Sequence, residues 1–349
     1  MPSVRDMEAI WDMSSRPTRP EPTTWDQMRA QAARGSFLGT PSGAEQVQDT
    51  STNERTLHQL GIGRSYDKPD PSTLFNHDFR AGIEIEVEGL PDMESVPQKW
   101  EAISDGSLRN NGREFITRNG FSGKDLERAL NSIDRFFQDN VPSLSERCST
   151  HIHIDVTDMT CKQVINFLCL GVMMEHVLFS LFGNTRTANA FCLATDCGTT
   201  NFDNIVSCLG RFEDVPHTAW SKYAAIGLKR IRDLGTVEFR MFKTVLTKDD
   251  YVRILNVLFA MKASAMEMDS PQQLVDTKLT QGMSGIFGLY FPEITYSDEY
   301  EPLLDRGAET LNDIITAAEV VRISCERAKK YSTIIKQADR LMREAQQGI

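Results

Sequence analysis

Between Gly82 and Gly89 the chain reads Gly-Ile-Glu-Ile-Glu-Val-Glu-Gly, a strict alternation of branched apolar residues and glutamates. A period of two marks a β-strand with one buried and one polar face, because successive side chains point to opposite sides. The pattern returns twice. Ile152, Ile154 and Val156 alternate with His151, His153 and Asp155, and Val237, Phe239 and Met241 alternate with Thr236, Glu238 and Arg240. Three such strands need an apolar cover on one side only, which points to an antiparallel or mixed sheet with helices on one face.

The rest of the chain supplies those helices. Strands are predicted over 80–88, 98–104, 112–117, 150–156, 223–228 and 236–242. Helical spacing appears over 123–138, where Leu126, Leu130, Ile133, Phe136 and Phe137 share a face, from Thr160 onward, over 248–266 and over 303–345. The fold class is therefore α+β. Residues 1–75, with Pro17, Pro20, Pro22, Pro69 and Pro71 among Ser, Thr, Gln and Gly, read as a mostly extended or disordered arm. Residues 76–265 read as the main domain, and 266–349 as a helical C-terminal extension. Val164–Phe182 is the most apolar run, but Asn166, Gly171, Glu175 and His176 interrupt it, so a buried core helix is predicted and not a membrane span.

Of 349 residues, 40% are hydrophobic and the net charge is −11, which disfavours broad nucleic-acid binding or attachment to anionic membranes. Seven cysteines, odd in number and without a CxxC pair, argue against a disulfide framework or a structural zinc site. Cys192 and Cys197 are close enough in sequence to pair, but reduced thiols are the expectation. With no apolar signal core near the start, a cytoplasmic location is expected.

The polar faces of the three strands carry the chemistry. Glutamates two apart on one face stand about 6.5–7 Å from each other and repel unless solvated or bridged by cations. Carboxylates from several strands together are hard oxygen ligands suited to Mg²⁺ or Mn²⁺. A solvated sheet face is the better explanation of any one of these strands; the combination of Glu/Glu, His/His and Glu/Arg shifts the balance toward a site, and Glu114 adds a further carboxylate. His151-x-His153 lacks the further histidines of a three-histidine zinc centre. The chain has no GxxxxGK[ST] phosphate loop, no GxGxxG and no GxSxG elbow. A nucleotide would therefore be held by metals and by basic side chains, with Arg240, Lys222, Lys229 and Arg230 as candidates.

Five motifs in order carry a family resemblance: Gly82 to Glu86; Trp100 through Asp105-Gly106-Ser107-Leu108 to Glu114; Ser149-Thr150-His151-Ile152-His153; Lys222 to Ile226; and Gly235-Thr236-Val237-Glu238-Phe239-Arg240-Met241. Together they resemble the amidoligase family of the carboxylate–amine ligase superfamily, which includes glutamine synthetase and glutamate–cysteine ligase. The resemblance covers roughly residues 78–265. It implies a glutamine-synthetase-like antiparallel sheet curved into a half-barrel, helices on its convex face, and ATP with Mg²⁺ or Mn²⁺ on the concave face. Carried over by position, it implies metal ligation by Glu84, Glu86, Glu114, His151 and Glu238. Nucleotide contacts fall to His153, Lys222, Tyr223 and Arg240, with Arg240 meeting the transferring phosphate and Asp105 on the substrate side. The chain departs from the family pattern at Ser149-Thr150, Lys222 and Gly227.

The implied activity is an ATP-dependent ligase joining a carboxylate to an amine, each a small molecule or a peptide, through an acyl phosphate. The alternatives are a non-catalytic assembly or binding protein on the same fold, with a protein partner engaged through the N-terminal arm or the C-terminal helices, and a metal-dependent hydrolase using the His151/His153 face.

Overall fold

The computed structural model describes residues 54–347 apart from 65, 91–94, 118–119, 184–185, 187–188, 190 and 293. Chain contacts divide the protein into Met1–Asp49 and Thr50–Ile349, so every described residue belongs to the second unit. The arm predicted over 1–75 lies outside the described residues as far as 53.

Six strands form one open sheet among the described residues: β1 (Ala81–Val87), β2 (Trp100–Ser104), β3 (Arg113–Thr117), β4 (Ser149–Asp155), β5 (Ile226–Gly227) and β6 (Thr236–Lys243). Their order is β2-β3-β1-β4-β6-β5, and all neighbours are antiparallel. Seven helices accompany them: α1 (Gly123–Asp139), α2 (Cys161–Phe182), α3 (Thr199–Gly210), α4 (Ile231–Leu234), α5 (Lys248–Glu267), α6 (Gln272–Tyr290) and α7 (Glu301–Gln347). The α+β class follows directly, with the three alternating strands β1, β4 and β6 side by side at the centre.

Their apolar faces build the core. Ile83, Ile85, Ile152, Ile154, Val237 and Phe239 are all buried in one core with side chains of α1, α2 and α5. Thr160 starts α2 with a capping box: its Oγ1 accepts from the Gln163 N–H at 3.3 Å, while its own N–H donates to Gln163 Oε1 at 2.9 Å. By length and composition α2 is apolar enough to cross a membrane, but 89% of that window is buried inside the protein. A helix apolar all round is the expected centre of a large core. All seven cysteines are free thiols.

The C-terminal helices belong to the same unit. Leu304, Ala308, Leu311, Ile314 and Ala318, spaced by three and four, form the buried stripe of α7. A Cβ at Gly307 would stand 2.2 Å from the Met173 carbonyl oxygen, so only glycine lets α7 lie this close to α2. The domain boundary expected near 265 falls inside this compact unit. So does the one near 75: Leu57 is fully buried, and its N–H donates to the Met159 carbonyl at 2.8 Å. The predicted strand over 223–228 contracts to the two residues of β5. Tyr223 instead sits in a turn, its carbonyl accepting from the Leu193 N–H at 2.6 Å.

Glu175 is fully enclosed on α2, where it accepts from the Thr195 N–H at 2.7 Å. Burial, opposed by that hydrogen bond, pushes its pKa from 4.5 up to about 8. The folded chain then holds this proton more tightly than the unfolded chain. The resulting stabilisation is complete below pH 4.5 and is lost as pH rises through 8. Relative to Glu175→Gln, the wild type is expected to lose up to about 1.4 kcal/mol per pH unit across that window, measured by urea unfolding at stepped pH.

Candidate metal centre

The polar face of the four middle strands gathers the site. Pairing sets Glu84 opposite His151, Gly82 opposite His153, Glu86 opposite Glu114 and His153 opposite Glu238. Side chains from three neighbouring strands thus converge on Glu84 of β1. Its Oε2 lies 3.1 Å from His151 Nδ1, and its Oε1 lies 3.1 Å from His153 Nε2. Glu238 Oε1 stands 3.9 and 4.0 Å from the same two nitrogens.

A β-bulge shapes the far side. Thr150 pairs with Phe242 and Ile152 with Phe239, so two steps along β4 match three along β6. The extra residue lies opposite His151. It lets Met241 and Phe242 both turn into the core while Arg240 keeps to the polar face beside Glu238. The Arg240 guanidinium donates to Glu238 Oε1 at 2.5 Å and lies 3.4 Å from His151 Nδ1. Its Nε, buried, has no hydrogen-bond partner among the described residues.

Two three-donor sets result, Glu84–His153–Glu238 and Glu84–Glu114–His151, with the ligand atoms of each set within 4.8 Å of one another. They share Glu84, a carboxylate with two oxygens pointing two ways. Each set offers two carboxylates and one imidazole, donors that could hold a metal ion.

The electrostatics describe a site loaded with negative charge. Burial opposes ionisation of Glu84, but hydrogen bonds from His151 and His153 outweigh it and hold the carboxyl well below the usual range. Burial, with the charges of Glu84 and Glu86, pushes Glu114 up to about 8. Burial likewise works against a charged His153, yet Glu84 and Glu238 raise its pKa overall.

Glu86 is placed differently from the other candidates. It belongs to neither donor set; its carboxylate accepts from Ser149 Oγ, which in turn lies 2.9 Å from His151 Nε2. The chain Glu86–Ser149–His151 fixes the imidazole with Nδ1 toward Glu84. Such an outer partner settles both the tautomer and the ring orientation of a histidine ligand. Thr236 Oγ1, 3.3 Å from His153 Nδ1, does the same for the second imidazole. Neither Ser149 nor Thr236 stood out among the candidates, although both share the polar faces of their strands with the histidines and Glu238. Glu88 turns from the site altogether: it is buried and accepts from the Arg109 N–H at 2.8 Å, pinning the loop after β2.

The remaining candidates lie outside the donor sets. Asp105 accepts from the N–H and hydroxyl of Ser107 in its own turn, at 2.8 and 2.9 Å, and its charge reaches Glu114. Lys222 is exposed with its Nζ 4.8 Å from the centre of the Tyr223 ring, and that ring packs against Phe191. The sequence matches no protein-family model and no curated protein, so the chemistry of the site is read from its geometry.

Ser149→Ala is expected to weaken Mn²⁺ binding about 10–100-fold by freeing the His151 ring, while Glu84→Gln removes the shared ligand and abolishes binding. Glu88→Ala leaves Mn²⁺ affinity unchanged but costs about 1–3 kcal/mol of stability by leaving the Arg109 amide unpaired. Electron paramagnetic resonance titration of free Mn²⁺, with urea unfolding on the same samples, checks all three.

Proposed function

We propose that the protein is an ATP-dependent carboxylate–amine ligase on a glutamine-synthetase-like sheet, using the polar face as a metal–nucleotide floor. One observation carries the reading: two three-donor sets share Glu84, and Arg240 stands at their edge with its guanidinium anchored by Glu238. The amidoligase resemblance of the five motifs supports the same assignment.

Divalent cations, when bound, would neutralise phosphate charge and align the nucleotide for in-line transfer. The chain's own residues then have distinct parts. Glu84 bridges the two donor sets, Glu114 and His151 complete one, and His153 and Glu238 complete the other. Glu86 acts through Ser149 as a positioning residue. Arg240, held by Glu238, presents its remaining N–H groups to the transferring phosphoryl group, an electrostatic role needing no motion at the moment of reaction.

In the first step a carboxylate oxygen of the substrate bonds to the γ-phosphorus as the bond to the bridging oxygen of ADP breaks. In the second, the amine nitrogen bonds to the acyl carbon, inorganic phosphate leaves with the C–O electron pair, and the nitrogen gives up a proton to a carboxylate base. No covalent enzyme intermediate is required. Asp105, near Glu114, stands on the substrate side of this scheme. Lys222 and Tyr223 are assigned to the periphery of the nucleotide.

The test is a screen with ATP and Mg²⁺ against pooled carboxylates and amines, read by mass spectrometry for ADP and for a product equal to acid plus amine minus water. Arg240→Lys is expected to lower kcat about 10²–10³-fold with Mn²⁺ affinity retained, because an ammonium cannot reproduce the guanidinium fork. Absence of Mg²⁺-dependent ADP release with every pair, together with no nucleotide binding by calorimetry, would sink the reading.

A further inference from the structure

Next to the Glu84–His153 pair, at the Gly82 and Thr236 ends of β1 and β6, opens a cavity of about 260 Å³. Its far wall does not come from the sheet. Arg64 and Tyr66 belong to the segment before β1, Arg80 immediately precedes that strand, and Arg230 stands at the start of α4. Three guanidinium groups thus ring one small opening on a chain whose net charge is −11.

Each arginine retains donors for a ligand. Arg64 is exposed and has no hydrogen-bond or ion-pair partner among the described residues. Arg230 makes only a loose 3.5 Å contact to Asp233, both side chains being largely exposed. Arg80 gives one N–H to the Gly120 carbonyl and lies over the Tyr66 ring, with its guanidinium carbon 3.6 Å from the ring centre. A guanidinium has five N–H donors, so most remain. Three carboxylates share the lining: Glu84, engaged by the two imidazoles; Asp233, in loose contact with Arg230; and Asp155, whose Oδ1 accepts both the Thr157 N–H and hydroxyl at 2.8 and 2.6 Å.

The segment is built to hold this position. Gly63, at φ +74°, crosses Gly235, and a Cβ on either would stand 2.3 Å from Thr157 Cγ2. Two glycines at this crossing let the segment pass directly over the start of β6 and deliver Arg64 and Tyr66 to the cavity. The His58 N–H donates to the Thr157 carbonyl at 2.9 Å and secures it further upstream.

The geometry points to a binding site for a small oxyanion-bearing ligand, a carboxylate or a phosphate group, gripped by Arg64, Arg80 and Arg230 with its other end toward Glu84 and His153. Planar guanidinium forks match both oxyanions bidentately. The volume falls below the roughly 300–1,000 Å³ of sites that engulf drug-sized ligands, so a small acid fits whole, whereas a nucleotide would enter by its phosphates alone. What the bound anion does rests on the ligase reading; its binding does not.

Calorimetric titration of inorganic phosphate and, separately, of glutarate decides it, using full-length protein saturated with Mg²⁺ and again with metal omitted. At least one anion is expected to bind, and Arg64→Ala/Arg230→Ala to weaken it roughly tenfold or more without changing Mn²⁺ affinity. Weakening confined to phosphate identifies a phosphate site, and weakening confined to glutarate a carboxylate site. If neither anion binds, or both bind the double variant as well as the wild type, the site is refuted even where Mn²⁺ binds normally. Arginine-dependent anion binding in a protein that fails to take up Mn²⁺ would uphold this site and overturn the metal reading instead.

Discussion

Glu84 is the charge around which the polar face is organised. A carboxylate with each oxygen 3.1 Å from a different imidazole, on the third strand of a six-stranded sheet, cannot be satisfied by its own strand. It needs β4 in register on one side and β3 supplying Glu114 on the other. A one-residue slip of β4 would send both histidines into the core and bring isoleucines to the carboxylate. The apolar faces prevent that slip, since it would also expose Ile152 and Ile154. Core packing and site assembly are therefore the same constraint seen from two sides of the sheet.

That coupling explains how so many ionisable groups are tolerated together. Glu86, Glu238, His151 and His153 are all buried, and isolated buried charges would cost far more than they return. Here every one has a partner of opposite character: Ser149 for Glu86, Arg240 for Glu238, Glu84 for both imidazoles. The exception is Glu114, whose raised pKa expresses crowding by Glu84 and Glu86. Excess negative charge at a preformed cluster is the condition under which a divalent cation binds favourably, and strong perturbation of several groups in one place is characteristic of functional sites.

The basic opening beside the cluster complements it. The sheet offers carboxylates and imidazoles, whereas the segment before β1 and the start of α4 contribute arginines. One end of a ligand would meet cation-binding groups and the other guanidinium groups. The long helices perform neither task. Their part is to hold β1, β4 and β6 flat against α2 and α5, and the capping box at Thr160 and the close approach at Gly307 are where they are locally pinned.

The sequence alone determined the strands and their polar faces, because a period of two is a local property that burial rewards directly. It also determined the central helix, whose apolar run is too long for a strand, and, with the family resemblance, the grouping of Glu84, Glu86, Glu114, His151, His153, Glu238 and Arg240 as candidates alongside Asp105, Lys222 and Tyr223. Tertiary structure decided what alternation cannot encode. Glu84, Glu86 and Glu88 look equivalent along the strand, yet one lies between two histidines, one orients His151 through Ser149, and one caps a loop amide. Their differences come from cross-strand neighbours more than twenty residues away. The bulge at Arg240, the contraction of the strand at 226–227 and the arginines delivered by the segment before β1 are likewise set by pairing and packing at a distance. Local pattern fixes which way a side chain faces; only the assembled sheet decides what it meets there.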